Sequence, residues 1–376
     1  MCIRDRNANI FFRHAVDGGQ TLTVSSGSGA VDFAGIIGGT TALGDTTINA
    51  SGTGTIAIAA IGDADDVGAI VGTTAIGNTS TAGITFDGTI YKFGNPAGGS
   101  DTVTITATGT GQVIDFTGGA VAVESFGGNA ATAGNAITFA TGTIDLDNGS
   151  NLTINSNGGA ITVAAIRGDS SETVTINAVK SSGSASATET ISIGAIGNAD
   201  EIGAITLDGA DGITLSGAIT TSNAAGSNVD LNGPVIISGA VDIDTDTGGT
   251  DGTIDFSSTI VGDGNGATTD NLTIDSGGST VTFNGTIGVA APIAAFSVNQ
   301  DGGDVALSIP QIGTASGNAG TSGITLIGTA NTASVTLTAA SYEFGGATTI
   351  TSAGNITASG TNPDICLLYT SDAADE

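Results

Sequence analysis

The chain is 376 residues long and carries 36 Asp+Glu against six Lys+Arg, a formal net charge of −30 at pH 7. Such a surface repels phosphate backbones and lacks the polybasic clusters that attract anionic lipid, which excludes nucleic-acid partners. Charged residues are still only 11% of the chain and hydrophobic residues 39%, and Ile, Val and Ala alternate with Thr, a pattern of packed strands rather than of a solvated acidic coil.

At the N-terminus, Met1–Arg6 reads MCIRDR. Its back-translation, ATG TGT ATA AGA GAC AG, is the end sequence of a transposon used to prepare sequencing libraries. At the other end, Cys366–Glu376 reads CLLYTSDAADE and back-translates to the reverse complement of the same end running into its primer. Residues 1–6 and 366–376 are therefore expected to be adapter-derived tails and are set aside from fold reasoning. They hold both cysteines, Cys2 and Cys366. Residues 7–365 thus have no thiol for disulfide or Cys–metal chemistry, and are expected to be an internal, metagenomic fragment of a longer protein. No apolar run in them approaches the roughly 20 residues of a membrane helix, so membrane insertion by this segment is not expected.

Asn7–Gln20 reads as the end of a preceding repeat. The lone His14 lies in it, with no second His for a metal cluster and no nucleophile elbow for a triad. Next comes Thr21–Gly38, TLTVSSGSGAVDFAGIIG: alternation, a Ser/Gly turn, then alternation again, which predicts strand, tight turn, strand. The pattern returns at Asn151 (NLTINSNGGAITV) and at Asn271–Gly288 (NLTIDSGGSTVTFNGTIG). The first and last copies are identical at 9 of 18 positions, and the last two at 7 of 13. A second anchor follows each copy: Thr55–Gly62 (TIAIAAIG), Thr190–Gly197 (TISIGAIG) and Ala306–Gly313 (ALSIPQIG). A third, Tyr91–Gly94 (YKFG), recurs only at Tyr342–Gly345 (YEFG). The chain therefore reads as three imperfect modules starting near 21, 151 and 271.

No stretch shows helical periodicity, and short strands are punctuated by Gly, Asn and Asp corners. Two all-β architectures fit: a right-handed parallel β-helix (β-solenoid), or tandem β-sandwich repeats. Sandwiches call for longer strands and a regular Trp, Tyr or Cys core marker. The chain has no Trp and 4% aromatics, which favours the solenoid, where each coil completes its neighbour's core. With about 20 residues per coil and about 4.8 Å between coils, roughly 17 coils would span about 80 Å. Phe33, Phe86, Phe116, Phe139, Phe256 and Phe283 are expected to point inward.

The run Ile10–Gly52, with its V-x-G turn, LTV, Gly/Ser turn and V-x-F-x-G-x-I-G, resembles repeats of giant bacterial adhesins of the filamentous-haemagglutinin type. That resemblance implies a right-handed parallel β-helix stalk, exported by a two-partner or autotransporter route and displayed on the cell surface. The function it implies is a non-catalytic shaft in cell adhesion, with host or neighbouring cell surfaces or glycans as partners.

Candidate chemistry is sparse. Asp242, Asp244 and Asp246 form D-x-D-x-D and are the candidate calcium ligands, although an EF-hand loop would require Gly at 247 and an acid at 253, where Thr247 and Thr253 stand. Calcium held between neighbouring Asp loops (Asp63, Asp65, Asp66; Asp251, Asp255; Asp263) is the only cofactor entertained, and would suit a surface-layer or biofilm matrix protein. A β-helix can also be a polysaccharide-acting enzyme using paired carboxylates. The basic residues that would accompany them, Arg13, Lys92, Arg167 and Lys180, are scattered in sequence, so no catalytic residue is assigned. Thr102-Val-Thr104-Ile-Thr106 and Thr173-Val-Thr175 resemble ice-binding T-x-T motifs, but the irregular spacing between such motifs argues against a regular face.

Overall fold

The computed structural model describes residues 1–5, 7–63, 69–94, 101–107, 113–125, 134–169, 171–180, 188–198, 200–222, 224–246, 250–265, 269–300, 305–314, 319–360 and 364–367. They fall into two compact units: Met1–Ile202 with Thr206–Asp211, and Gly203–Ile205 with Gly212–Glu376. Among the described residues there is no helix. Strands of two to seven residues pair in parallel with strands one coil away. Parallel pairing without helices makes each unit a β-solenoid and removes the sandwich alternative, whose sheets are antiparallel. Asp65, Asp66, Thr247–Gly249, Pro96, Pro363, Arg6 and 368–376 lie outside the described residues.

The core follows from the two-residue period of a strand. In the first unit one inward ladder runs Ile10, Val31, Ile56, Ile84, Ile114, Ile144, Ile166, Ile196, one residue per coil. A second runs Leu22, Thr46, Thr74, Val103, Ile137, Ile161, Ile191, and a third Tyr91, Val123, Ile154, Ile176. In the second unit Val241, Leu272 and Phe296 stack, as do Ile243, Ile274, Val298 and Ile327. These apolar side chains are buried while the residues between them face outward. Burying each one stabilises by about 1.5–3 kcal/mol relative to exposure.

Stacked partners lie from 21 residues apart (Cys2 on Thr23) to 35 apart (Thr106 on Thr141). A coil is therefore longer than the about 20 residues expected, and the coils are fewer, because each must hold several strands and their corners. Two short strands come from the ends: Cys2–Arg4 on Thr23–Ser25, and Asp364–Leu367 on Ser341–Phe344.

Of the six phenylalanines expected inside, Phe33, Phe86, Phe116, Phe139 and Phe256 are fully buried. Phe283 is half-buried instead. It closes the Leu231–Phe256–Phe283 ladder, with one ring face on Phe256 at 5.3 Å between centroids.

The repeated turn has a common device. Ser26, Ser156 and Ser276 occupy the same place in the three copies and are fully buried. Each hydroxyl donates to the carbonyl three residues on, of Gly29, Gly159 and Ser279 respectively, and that residue's N–H donates back to the serine carbonyl. The residue after the serine has a positive φ in every copy: Gly27 (61°), Asn157 (48°) and Gly277 (48°). The serine thus replaces solvent at an inward-turned corner. Ser156→Ala is expected to cost about 1 kcal/mol, the value of a buried hydrogen bond, read as a lowered urea midpoint with unchanged slope. The copies at 21 and 151 do not open at the same corner of the coil. The ladder that begins at Leu22 reaches Ile161, in the second strand of the later copy. The motif makes a corner wherever it occurs.

A second equivalence spans 251 residues. Tyr91 Oη accepts from the Gly88 N–H (2.8 Å) and donates to the Ile58 carbonyl (3.1 Å). Tyr342 Oη accepts from the Ala339 N–H (2.7 Å) and donates to the Ile309 carbonyl (2.8 Å). Burial pushes both phenols upward. The YKFG and YEFG anchors are therefore clasps that tie a tyrosine to the preceding coil.

Outward Asn and Asp side chains hold the corners. Asn9, Asp45 and Asn151 accept the N–H groups of Ala30 (2.9 Å), Thr73 (2.9 Å) and Thr173 (2.8 Å), each one coil later. In the second unit Asn228 accepts from Thr253 (3.0 Å). Part of the chain's acidity is thus built into its backbone bonding.

Candidate functional site

The first unit carries a charged ladder on the outward side of the Phe86–Phe116 strands. Asp115 stands over Thr85, Asp145 over Asp115, and Arg167 over Asp145. Their neighbours Ile114, Phe116, Ile144, Leu146 and Ile166 point inward, so alternation fixes the charged side chains outward. Arg167 Nη2 bonds Asp145 Oδ2 at 2.6 Å, and Nη1 lies 3.9 Å from Asp200 Oδ2. Its Nε is buried without a hydrogen-bond partner among the described residues. Partial burial first, then the charges of Asp145 and Asp147, raises the Asp115 carboxyl above its ordinary 3.8, and Arg167 offsets this only in part. The hydrogen bond to Asp145 holds the guanidinium firmly protonated.

This cluster was hidden by treating the basic residues as scattered. The available signal was the triplet Ile-Asp-Phe/Leu at 114–116 and 144–146, two copies one coil apart, with Ile166-Arg167 following. Asp115 has a folded pKa above its unfolded value, so its contribution to stability is complete below about 3.8 and is lost as pH rises through the folded value. Asp115→Asn is therefore expected to stabilise the first unit at neutral pH. The gain should be less than about 1 kcal/mol because the group is half-exposed, and should vanish near pH 3. Thermal melts at the two pH values check this.

Glu172 behaves oppositely. Burial would raise it, but the N–H groups of Gly149 (2.7 Å), Asp169 (2.6 Å) and Ser171 (3.1 Å) outweigh burial and lower it. Its stabilisation is present above the ordinary carboxylate value and lost as pH falls through the lowered one. It is a structural clasp.

In the second unit, Asp242 and Asp244 point outward from Ala240–Asp244, beside Thr273 and Asp275. Burial first, then Asp244 and Asp275, raises Asp242. Asp246 follows the strand, its N–H donating to Asp244 Oδ1 at 2.8 Å. The Asp246 and Asp251 carboxylates both crowd Gly277, and Asp251 accepts the Gly278 N–H. The structure thus gathers Asp242, Asp244 and Asp275 on one face and Asp246 with Asp251 at the next corner. Asp255 accepts from Asn284 (3.0 Å), and Asp263 is occupied by Asn265 and Asp270. Among the described residues, no group of three or more His, Cys, Asp or Glu is arranged to hold a metal ion, and no helix is long and apolar enough to cross a membrane. Comparison with protein-family models, curated proteins and solved structures found no match.

Proposed function

We propose that this chain is part of the non-catalytic shaft of a large bacterial adhesin, exported and held at the cell surface. The observation that carries the reading is the unbroken stacking of one aliphatic side chain per coil over many coils. That construction resists bending and places length, rather than a pocket, under selection. The resemblance of Ile10–Gly52 to haemagglutinin-type repeats supports a surface location. Receptor or glycan contact would then belong to other parts of the parent protein. Displayed on a bacterial surface, the segment is expected to confer no more adhesion to host cells or glycan arrays than an unrelated spacer of equal length. Adhesion conferred by the segment itself overturns the reading.

A second reading, a polysaccharide-acting enzyme, draws on Asp115 and Asp145, carboxylates stacked one coil apart on the outward side of their strands, since glycoside hydrolysis uses a pair of carboxylates. Release of reducing ends from a polysaccharide panel, abolished by Asp115→Asn, would establish it; no release discards it. Calcium bound along Asp242, Asp244 and Asp246 would suit a matrix protein, and a thermal melt unmoved by calcium or chelator discards that.

A further inference from the structure

The first unit has an outward ladder on another strand series, and it carries no charge. Register stacks Thr23, Thr47, Ala75, Thr104, Thr138 and Thr162 in one column, one residue per coil. Two residues along, Ser25 pairs with Asn49 and Gly77 with Thr106, until a bulge puts Thr141 three residues beyond Thr138, where its hydroxyl donates to the Ala107 carbonyl. The sequence spacing of the first column is irregular because the coils differ in length, yet parallel pairing brings it into continuous register. Its repeat is about 4.8 Å from coil to coil.

Three properties of this face bear on what it could meet. The chain has a net charge of −30, and the same coils carry Asp32, Asp115, Asp145 and Arg167 on the neighbouring series, but the first column and the residues two along from it hold neither acid nor base. The hydroxyls of Thr23, Thr47, Thr104, Thr138 and Thr162 are solvent-facing, and among the described residues they make no intramolecular hydrogen bond. Among the described residues no aromatic ring stands on the face; Phe33, Phe86 and Phe116 of these coils point inward. A neutral column of methyls and free hydroxyls complements a neutral, ordered, hydrogen-bonding surface. Charges would instead hold their own hydration shells, and the platform on which sugar rings stack is missing.

We propose that this threonine face binds ice, its hydroxyls and methyls ordering water on a lattice fixed by the coil spacing. The proposal does not rest on the shaft reading, which concerns mechanical length. The test is thermal hysteresis of the full chain, with Thr104→Lys and Thr138→Lys on the face and Thr85→Lys on the charged series as control, all checked for strand content by circular dichroism. The expected result is hysteresis in the wild type and in Thr85→Lys, lost in both face variants, and retained in Thr138→Ser. Folded wild type without hysteresis overturns the proposal. Hysteresis indifferent to both face lysines also overturns it. Adsorption to microcrystalline cellulose or chitin without hysteresis would reassign the face to a polysaccharide. A dimer dissolved by Thr138→Lys, again without hysteresis, would reassign it to self-association.

Discussion

Phe116→Ala is expected to destabilise the first unit by about 3–5 kcal/mol, the range for removing a buried ring that neighbours cannot replace. Phe116 is fully buried, stacked on Phe86 at 5.0 Å and met edge-on by Tyr91 and Phe139, each at 6.2 Å. Residues directly above and below it are held by backbone ladders on adjacent coils, so they cannot slide into the cavity without breaking strand pairs. Tyr91 is further pinned by its hydroxyl to the Ile58 carbonyl. Phe116→Leu keeps most of the volume and should cost less than about 1.5 kcal/mol. Urea unfolding of the three proteins checks this. A loss of no more than about 1.5–3 kcal/mol for the alanine variant would mean that the ring stack contributes little beyond ordinary burial. Because Phe86 and Phe116 touch, the double alanine variant should be less costly than the two separate losses added together.

What was legible in the sequence and what was not divides by range. The alternation in Leu22–Ser25, Val174–Asn177 and Asn271–Asp275 is a local property of strands, and the structure has strands there. The Ser/Gly turn was equally local, since a serine hydroxyl closing on the residue three places later needs no partner from elsewhere. Coil length was not legible, because it depends on where a strand finds its partner one turn away, and insertions at corners change that distance without disturbing either strand. The same fact concealed both outward ladders. Asp115, Asp145 and Arg167 are separated by 30 and 22 residues, and Thr104 and Thr138 by 34, although a neighbouring pair, Thr138 and Thr162, is separated by only 24. Phe283 lies on the inward ladder, against Phe256 and Phe296, but is only half-buried: alternation assigns the side of a strand, but not whether another coil covers it. The Asp242, Asp244 and Asp246 triplet shows the limit from the other direction. Alternation puts the first two on one face, whereas the third has left the strand and lies with Asp251 against Gly277.

The corner that ends Asn271–Gly288 gives the sharpest single-residue test of coil stacking. Gly288→Ala is expected to cost about 3 kcal/mol or more in the second unit, from two separable sources. The first is conformational: Gly288 has φ of +69°, in the left-handed region where a side chain is strained by about 1–3 kcal/mol. The second is contact between coils. A Cβ on Gly288 would run into the backbone of Gly320 on the next coil, and backbone cannot rotate away as a side chain can. The position is also fixed from below, where its N–H donates to the Ile260 carbonyl at 2.7 Å. Gly264 separates the two sources, since it has φ of +77° but, among the described residues, nothing within 4 Å of where its Cβ would stand. Gly264→Ala should therefore show the strain alone, about 1 kcal/mol. Gly38 ends the corresponding stretch of the first copy with φ of +68° and faces the Ala69 carbonyl in the same way, so Gly38→Ala should behave like Gly288→Ala. Urea midpoints of the three variants decide the matter. If Gly288→Ala and Gly38→Ala cost no more than Gly264→Ala, the close approach of neighbouring coils is not what requires glycine at the end of the repeated stretch, and the corner is set by local backbone geometry alone.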